Sequence, residues 1–321
     1  MYKPADFADW IITEEDITKN SGDFFKNNVL FLDLEQKLLA QTEKMVALIG
    51  FECDEGVRRN NGRTGAKEGP ASIRKALSKF AWHFKDGFIA DGGNIRCRGK
   101  LLEKAQKNFG EMVSRLLNSN FLAVGIGGGH EIACAGYLGI RNKIGNSKLG
   151  IINFDAHFDL RSTENKLPNS GSSFYQIASD CSQNQWSFNY FCLGIQNFSN
   201  SRVLFNNAKN FGVQWQTADT VIWENLPVLK RQLDEFIKKV DHIYLTVCLD
   251  VFNAACAPGV SAPNPLGIIP EITVELIKYI LTSQKVIYMD IAEMNPLYDI
   301  DDRTARLAAL LIYHVLEALQ N

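Results

Sequence analysis

The 321-residue sequence has no apolar run approaching the ~18–20 residues of a membrane span. Its N-terminus, "MYKPADFADWIITEEDITKN", carries acidic residues and lacks the apolar core of a secretory signal. A basic excess is missing as well. Lys and Arg number 34 against 36 Asp and Glu, a net charge of −2, which argues against a nucleic-acid binder with its basic stripe. An acidic small-molecule substrate stays open, because a pocket needs only a few local arginines. No CxxC spacing occurs among the seven cysteines (53, 97, 134, 181, 192, 248 and 256). Their odd number and apolar neighbours predict reduced core thiols in a cytoplasmic protein. Internal repeats, low-complexity stretches and Pro/Ser-rich linkers are also lacking. The expectation is therefore one domain over residues 1–321, with 1–44 a less clearly patterned N-terminal extension.

Short apolar runs recur instead, each ending in a polar or Gly-rich turn: 45–51, 121–127, 149–154, 190–195, 242–249 and 285–291. Their hydrophobicity is continuous rather than alternating, which predicts strands buried on both faces of a parallel sheet. Helix-like stretches lie between and after them, at 69–80, 100–117, 225–240 and 301–319, the last with an acidic first turn. Alternating strands and helices define an α/β fold. Such folds bind ligands where loops leave the carboxyl ends of the strands, so the residues after each run hold the functional information.

After "FLAVGIG" comes "GGHE", which puts His130 on a Gly-rich strand exit. A dinucleotide-binding G-x-G-x-x-G is excluded, since His stands where the third Gly belongs. After "LGIINF" come Asp155, His157 and Asp159; in an extended segment, alternate residues point the same way and converge. Asp250 follows "HIYLTVCL", and Glu293 follows "KVIYMDI". Crowded carboxylates repel one another unless a cation or protons intervene. Two imidazoles with several carboxylates suit manganese or a related divalent ion better than a structural zinc. His83, His242 and His314 lack such surroundings and are read as structural.

Together "GIGGGHE", "NFDAHFD", "CLDV" and "MDIAEMNP" resemble the motifs of the ureohydrolase family, comprising arginases, agmatinases and formimidoylglutamases. The resemblance runs from about residue 45 to the C-terminus. It implies a three-layer α/β/α fold with a mostly parallel central sheet, hydrolysis of a C–N bond at a manganese pair, and a homo-oligomer. It also implies that His130, Asp155, Asp159 and Asp250 bind one ion, and that Asp155, His157 and Asp250 contribute to a second. Glu293 would hold the guanidinium or amidine, and Asp159 would orient the attacking water. The family continues its fourth motif as Asp-x-Asp, whereas this chain has Phe252 two residues after Asp250. The second ion is accordingly expected to be weak or absent.

Within that family the chain is most similar to the formimidoylglutamase branch. The stretch "CDEGVRRNNGRTGAKEGPASIRKAL" carries that branch's signature, as do "NSGSSFYQI" and "APGVSAPNPLG". Arg161 stands where arginases place Asn, and an Arg there matches a carboxylate bidentately. Arg58, Arg59, Asn60 and Arg63 are further candidate substrate-binding residues. Ser172, Ser173 and Phe174 occupy the region in which arginases and agmatinases carry a His. The proton for the leaving amine would then come from Asp159, Glu293 or water. The implied activity is hydrolysis of N-formimidoyl-L-glutamate to L-glutamate and formamide, a step of histidine degradation. The alternatives are another ureohydrolase, or a metal-poor binder of an acidic ligand.

Overall fold

A computed structural model describes residues 1–19, 22–84, 88–164 and 166–320. Among them, ten strands form one sheet: β1 (Tyr2–Lys3), β2 (Val29–Phe31), β3 (Met45–Glu52), β4 (Ile89–Arg96), β5 (Phe121–Ile126), β6 (Leu149–Phe154), β7 (Asn189–Ile195), β8 (Gln214–Thr217), β9 (His242–Cys248) and β10 (Val286–Ala292). Their order is β1-β4-β3-β5-β10-β9-β6-β7-β8, and β2 also pairs with β4. Only the β1–β4 pairing is antiparallel. The connecting helices are α1 (Glu14–Lys19), α2 (Glu55–Arg59), α3 (Gly69–Leu77), α4 (Leu102–Asn118), α5 (Ile132–Ile144), α6 (Ser173–Gln183), α7 (Arg202–Asn210), α8 (Leu226–Ile237), α9 (Pro270–Leu281) and α10 (Arg303–Gln320).

Alternation along each strand sorts the core into two layers. Val46 and Leu48 of β3 join the cluster containing Leu77 of α3, Leu233 of α8, Leu276 of α9 and Leu311 of α10. Ala47, Ile49 and Phe51 of the same strand join Phe109 of α4, Ile140 of α5, Phe174 of α6 and Leu204 of α7. Helices therefore cover both faces, and the architecture is the expected three-layer α/β/α. Every residue of β5 and β6 is buried, which is why those runs read as continuously apolar. Each large apolar side chain withdrawn from water in this way stabilises the fold by roughly 1.5–3 kcal/mol.

The six strands read from hydrophobicity match β3, β5, β6, β7, β9 and β10. β4 escapes that reading because "IADGGNIR" carries Asp91 and Asn94, both buried and paired internally. The acidic first turn expected for the last helix is also corrected. Asp301 and Asp302 precede α10 with left-handed backbone (φ 54° and 57°), and the helix starts at Arg303. Residues of the expected N-terminal extension supply β1 and β2 to the sheet. Trp10 is fully buried and donates its indole N–H to Asp91 (2.6 Å). No helix of the described residues is long and apolar enough to cross a membrane.

Candidate metal centre and substrate cavity

Four neighbouring strands, in the order β5-β10-β9-β6, end on one side of the sheet, and their exits bring the polar residues together. Beyond β5, Gly127 and Gly128 adopt left-handed backbone (φ 78° and 71°). A Cβ at Gly127 would lie 2.3 Å from the Pro70 ring, so the turn can approach α3 only as glycine. That turn delivers His130, which is 1% exposed. Its Nε2 meets Thr246 Oγ1 at 3.0 Å. Its Nδ1 lies 2.9 Å from Asp155 Oδ2 and 3.0 Å from Asp159 Oδ2.

Asp155 and His157 follow β6. The His157 backbone N–H donates to Asp155 Oδ1 (2.7 Å), and Asn153 Nδ2 donates to Asp155 Oδ2 (3.1 Å). His157 Nδ1 lies 3.1 Å from Asp250 Oδ2. Asp159 holds a left-handed backbone (φ 48°) and accepts the Phe174 N–H at its carbonyl (3.1 Å). Glu293, also left-handed (φ 70°), accepts the His130 N–H at Oε1 (3.0 Å) and the Ser261 hydroxyl at Oε2 (2.5 Å). Non-glycine residues are seldom left-handed, and two at one cavity mark backbone held against its preference.

The electrostatics of this cluster show a strong demand for positive charge. Burial opposes the imidazolium of His130, but Asp155 and Asp159 outweigh it and hold the ring well above the ordinary histidine range. Burial likewise opposes charge on His157, and Asp250 and Asp155 raise it well above that range. Burial, reinforced by the charge of Asp155, raises Asp159. Glu293 is pushed up to about 7, mainly by burial, with Asp250 adding to the effect.

Two overlapping donor sets fit a divalent cation. Donor atoms of Asp155, His157 and Asp250 lie within 4.8 Å of one another, and so do those of His130, Asp155 and Cys248. His130 Nδ1 and Asp250 Oδ1 are buried without a hydrogen-bond partner among the described residues. Buried orphans of this kind are costly unless an ion or water completes them. Their imidazole and carboxylate chemistry suits manganese-type ions.

The structure corrects the reading of the fourth motif. Phe252 is fully exposed to neither solvent nor cavity: it is 0% exposed and packs in the apolar core. Alternation along β9 turns Thr246 and Cys248 toward His130, and the tight turn Leu249–Val251 then presents Asp250 to His157. By Phe252 the chain has left the site and bridges to Ile268. Cys248 and Asp250 line the cavity, and Phe252 does not. Asp250 groups with Asp155 and His157.

A cavity of about 280 Å³ opens over these residues, lined by His130, His157, Asp159, Cys248, Asp250 and Glu293, with Asn60, Arg161, Ser170 and Ser261 farther out. Arg161 is exposed, and its guanidinium has no acceptor among the described residues. Its stalk lies against Gly171, where an added Cβ would fall 2.8 Å from Arg161 Nε. Asn60 reaches the wall and donates to Ser170 Oγ (3.2 Å).

The other candidate arginines are not brought to this cavity. Arg58 pairs with Glu55 (2.6 Å). Arg59 is spent on Glu55 (3.0 Å), Glu103 (2.6 Å) and the carbonyls of Lys100 and Pro168 (3.0 Å each). Arg63 donates to the carbonyls of Val260 (2.5 Å) and Ser261 (3.2 Å) and stacks on the Tyr298 ring at 4.0 Å. It props the loop carrying Ser261, the residue that orients Glu293. Residue type alone does not separate them from Arg161; their three-dimensional partners do.

Sequence reading missed four residues here. Ser170 and Ser261 lie inside the quoted stretches "NSGSSFYQI" and "APGVSAPNPLG", but nothing in those stretches singles out either serine. Glu131 is buried beneath the site, accepts the Gly56 N–H (2.8 Å), and is pushed up to about 8 by burial and by the charge of Glu293. Cys248 reads as an apolar core thiol, and it is 2% exposed, yet it also lines the cavity. Its position two residues before Asp250 was the available signal.

The fold and this centre define a metal-dependent hydrolase of the α/β/α type, and residues 44–317 match the model of the arginase family. The chain belongs to that family. It is 39% identical over 318 residues to a formimidoylglutamase of Geobacillus kaustophilus (strain HTA426), covering 98% of this chain and 97% of that one. It is 41% identical over 317 residues to a formimidoylglutamase of Legionella pneumophila (strain Lens), covering 98% and 97%. The solved formimidoylglutamase of Bacillus subtilis superposes with a TM-score of 0.79 at 26% identity, covering 90% of this chain and 92% of that one. A formiminoglutamase of Trypanosoma cruzi, solved with Mn2+, shares the fold at 23% identity (TM-score 0.76; 90% and 98% covered).

Proposed function

We propose that this protein hydrolyses N-formimidoyl-L-glutamate to L-glutamate and formamide, using divalent metal, manganese foremost, at the His130–Asp250 centre. The observation that carries the reading is the pairing of a carboxylate-rich metal centre with an unpaired cation, Arg161, at the same cavity. The substrate is complementary to both ends, with an amidinium for the acids and carboxylates for the arginine. Full-length likeness to two formimidoylglutamases supports the same choice.

In this reading His130, Asp155 and Asp159 would hold one ion, and Asp155, His157 and Asp250 would hold a second. A bound ion of this kind lowers the pKa of its water and so supplies hydroxide near neutral pH. Asp159 is placed to accept a hydrogen bond from the attacking water and to orient it toward the amidine carbon. Glu293, fixed by the Ser261 hydroxyl and the His130 N–H, receives the amidinium with its two oxygens at a set angle. Asn60 and Arg161 bind the carboxylate end, Arg161 through a charge-assisted pair. Water adds to the amidine carbon, the bond to the glutamate nitrogen breaks, and a proton passed from Asp159 or Glu293 leaves with the amine. Arg58, Arg59 and Arg63 act instead by holding the 53–63 and 257–262 loops in place. The reading also takes the protein as a cytoplasmic enzyme working as a homo-oligomer.

Release of formamide from formimidoylglutamate, and of urea from arginine and agmatine, measured with added Mn2+, tests this assignment. Formamide from the first substrate alone is the expected result. Urea from either of the others as the faster reaction, or no product from any, would overturn it.

A further inference from the structure

Cys248 ends β9 with its thiol at the wall of the metal cavity, where its donor atom lies within 4.8 Å of those of His130 and Asp155. Five other thiols are hydrogen-bonded: Cys53 to Glu131 (3.7 Å), Cys97 to the Gly99 carbonyl (3.7 Å), Cys134 to the Ser173 carbonyl (3.2 Å), Cys181 to the Tyr137 hydroxyl (3.5 Å) and Cys192 to the His157 carbonyl (3.7 Å). The Cys248 thiol has no such partner among the described residues. The same donor set contains a second unsatisfied group: His130 is buried, and its Nδ1 has no hydrogen-bond partner among the described residues. The ring is held in place by its Nε2, which meets Thr246 Oγ1 at 3.0 Å. Thr246 and Cys248 are alternate residues of one strand, so the same face of β9 both orients the imidazole and supplies the sulfur.

We infer that Cys248 is a ligand of the His130-side ion, which makes the two positions of the centre chemically unlike. It rests on the reading of this cavity as a metal centre and adds to it a thiolate donor. On binding, Cys248 gives its thiol proton to solvent, and sulfur joins the nitrogen of His130 and the oxygens of Asp155 and Asp159. The position formed by Asp155, His157 and Asp250 keeps only nitrogen and oxygen donors. Thiolate is a soft ligand, so the His130 side holds cobalt(II), iron(II) or zinc(II) more tightly than manganese, while the His157 side keeps manganese-type preference.

Cobalt(II) reconstitution of the full-length, chelator-treated protein tests this directly. Bound cobalt is counted by elemental analysis, and the near-ultraviolet thiolate-to-cobalt charge-transfer absorption reports sulfur ligation. The wild type should show that absorption, and Cys248→Ser, with the other six thiols present, should lose it. Cobalt bound without the absorption would overturn the inference and leave the metal centre standing. Absorption persisting in Cys248→Ser would also overturn it, by assigning the sulfur to another cysteine. Absence of any bound cobalt would overturn the metal-centre reading and this inference together. The wild-type spectrum decides the matter even if the variant folds poorly. A second variant gives an independent readout: Cys248→Asp should bind Mn2+ more tightly than the wild type, measured by the electron paramagnetic resonance of free Mn2+. Equal or weaker Mn2+ binding would count against a thiolate there.

Discussion

Two buried charged clusters occupy opposite parts of the sheet, and they are finished to different degrees. Near the first edge, Arg74 is fully buried and donates to Asp91 through Nε (2.7 Å) and Nη2 (2.8 Å), to Asn94 (2.7 Å) and to the Gly93 carbonyl (3.0 Å). Asp91 also accepts from Trp10 (2.6 Å) and from the Gly93 N–H (2.9 Å). Charges there balance, and each guanidinium nitrogen of Arg74 has an acceptor. At the ends of β5, β6, β9 and β10, several carboxylates face two imidazoles, and buried atoms of His130 and Asp250 have no partner. Complete satisfaction marks a cluster that holds the fold together. Convergent, unsatisfied donors mark one built to receive something.

The largest expected effect breaks the first cluster. Arg74→Met strands the Asp91 carboxylate without its cation and should cost about 3–5 kcal/mol, the range for halving a buried pair. Urea denaturation measures it, and a loss below about 1 kcal/mol would show that the cluster is not structural.

Asp155→Asn strikes the residue shared by both donor sets. Activity should fall more than about 100-fold, beyond what losing an outer partner of a metal ligand costs. Added Mn2+ should raise the melting temperature of the wild type, by binding only the folded state, and leave the variant unmoved. An equal rise in both would detach Asp155 from the metal.

At the rim, Arg161→Ala should raise KM for formimidoylglutamate about 10- to 100-fold, equivalent to ~1.5–3 kcal/mol for a charge-assisted contact. Metal content should not change. Arg58→Ala, whose partner is Glu55, should leave KM within error, and a large rise there would reverse the assignment of the two arginines.

The smallest effect concerns Glu131. Its folded-state pKa is raised from the ordinary 4.5 to about 8, so unfolding releases a proton between those values. Its contribution to stability is therefore full below about 4.5 and is lost as pH rises through about 8. Glu131→Gln should flatten the pH dependence of the melting temperature across that window. Parallel wild-type and variant profiles would show that the buried acid does not titrate there.

Several features were legible because they depend on neighbours close in sequence. Continuous apolar runs announced the six interior strands, since a strand covered on both faces has no polar side to display. Asp155, His157 and Asp159 fall at the spacing that aims alternate side chains one way, and His130, Asp250 and Glu293 each stand close behind an apolar run. Local sequence therefore determined the α/β class, the strand exits and the acid- and imidazole-rich character of the site.

Tertiary structure alone decided the rest. β4 is hidden from pattern reading because its polar residues are matched by Arg74 and Trp10, distant in the chain. Arg58, Arg59, Arg63 and Arg161 look alike in sequence; Arg58 pairs with Glu55 of its own helix, Arg59 and Arg63 meet carboxylates or carbonyls contributed by other segments, and Arg161 is left for a ligand. Whether Phe252 or Cys248 faces the centre turned on where β9 stops alternating and the tight turn begins. Alternation fixes direction only while the strand continues, and the point at which it ends is set by packing against the rest of the fold.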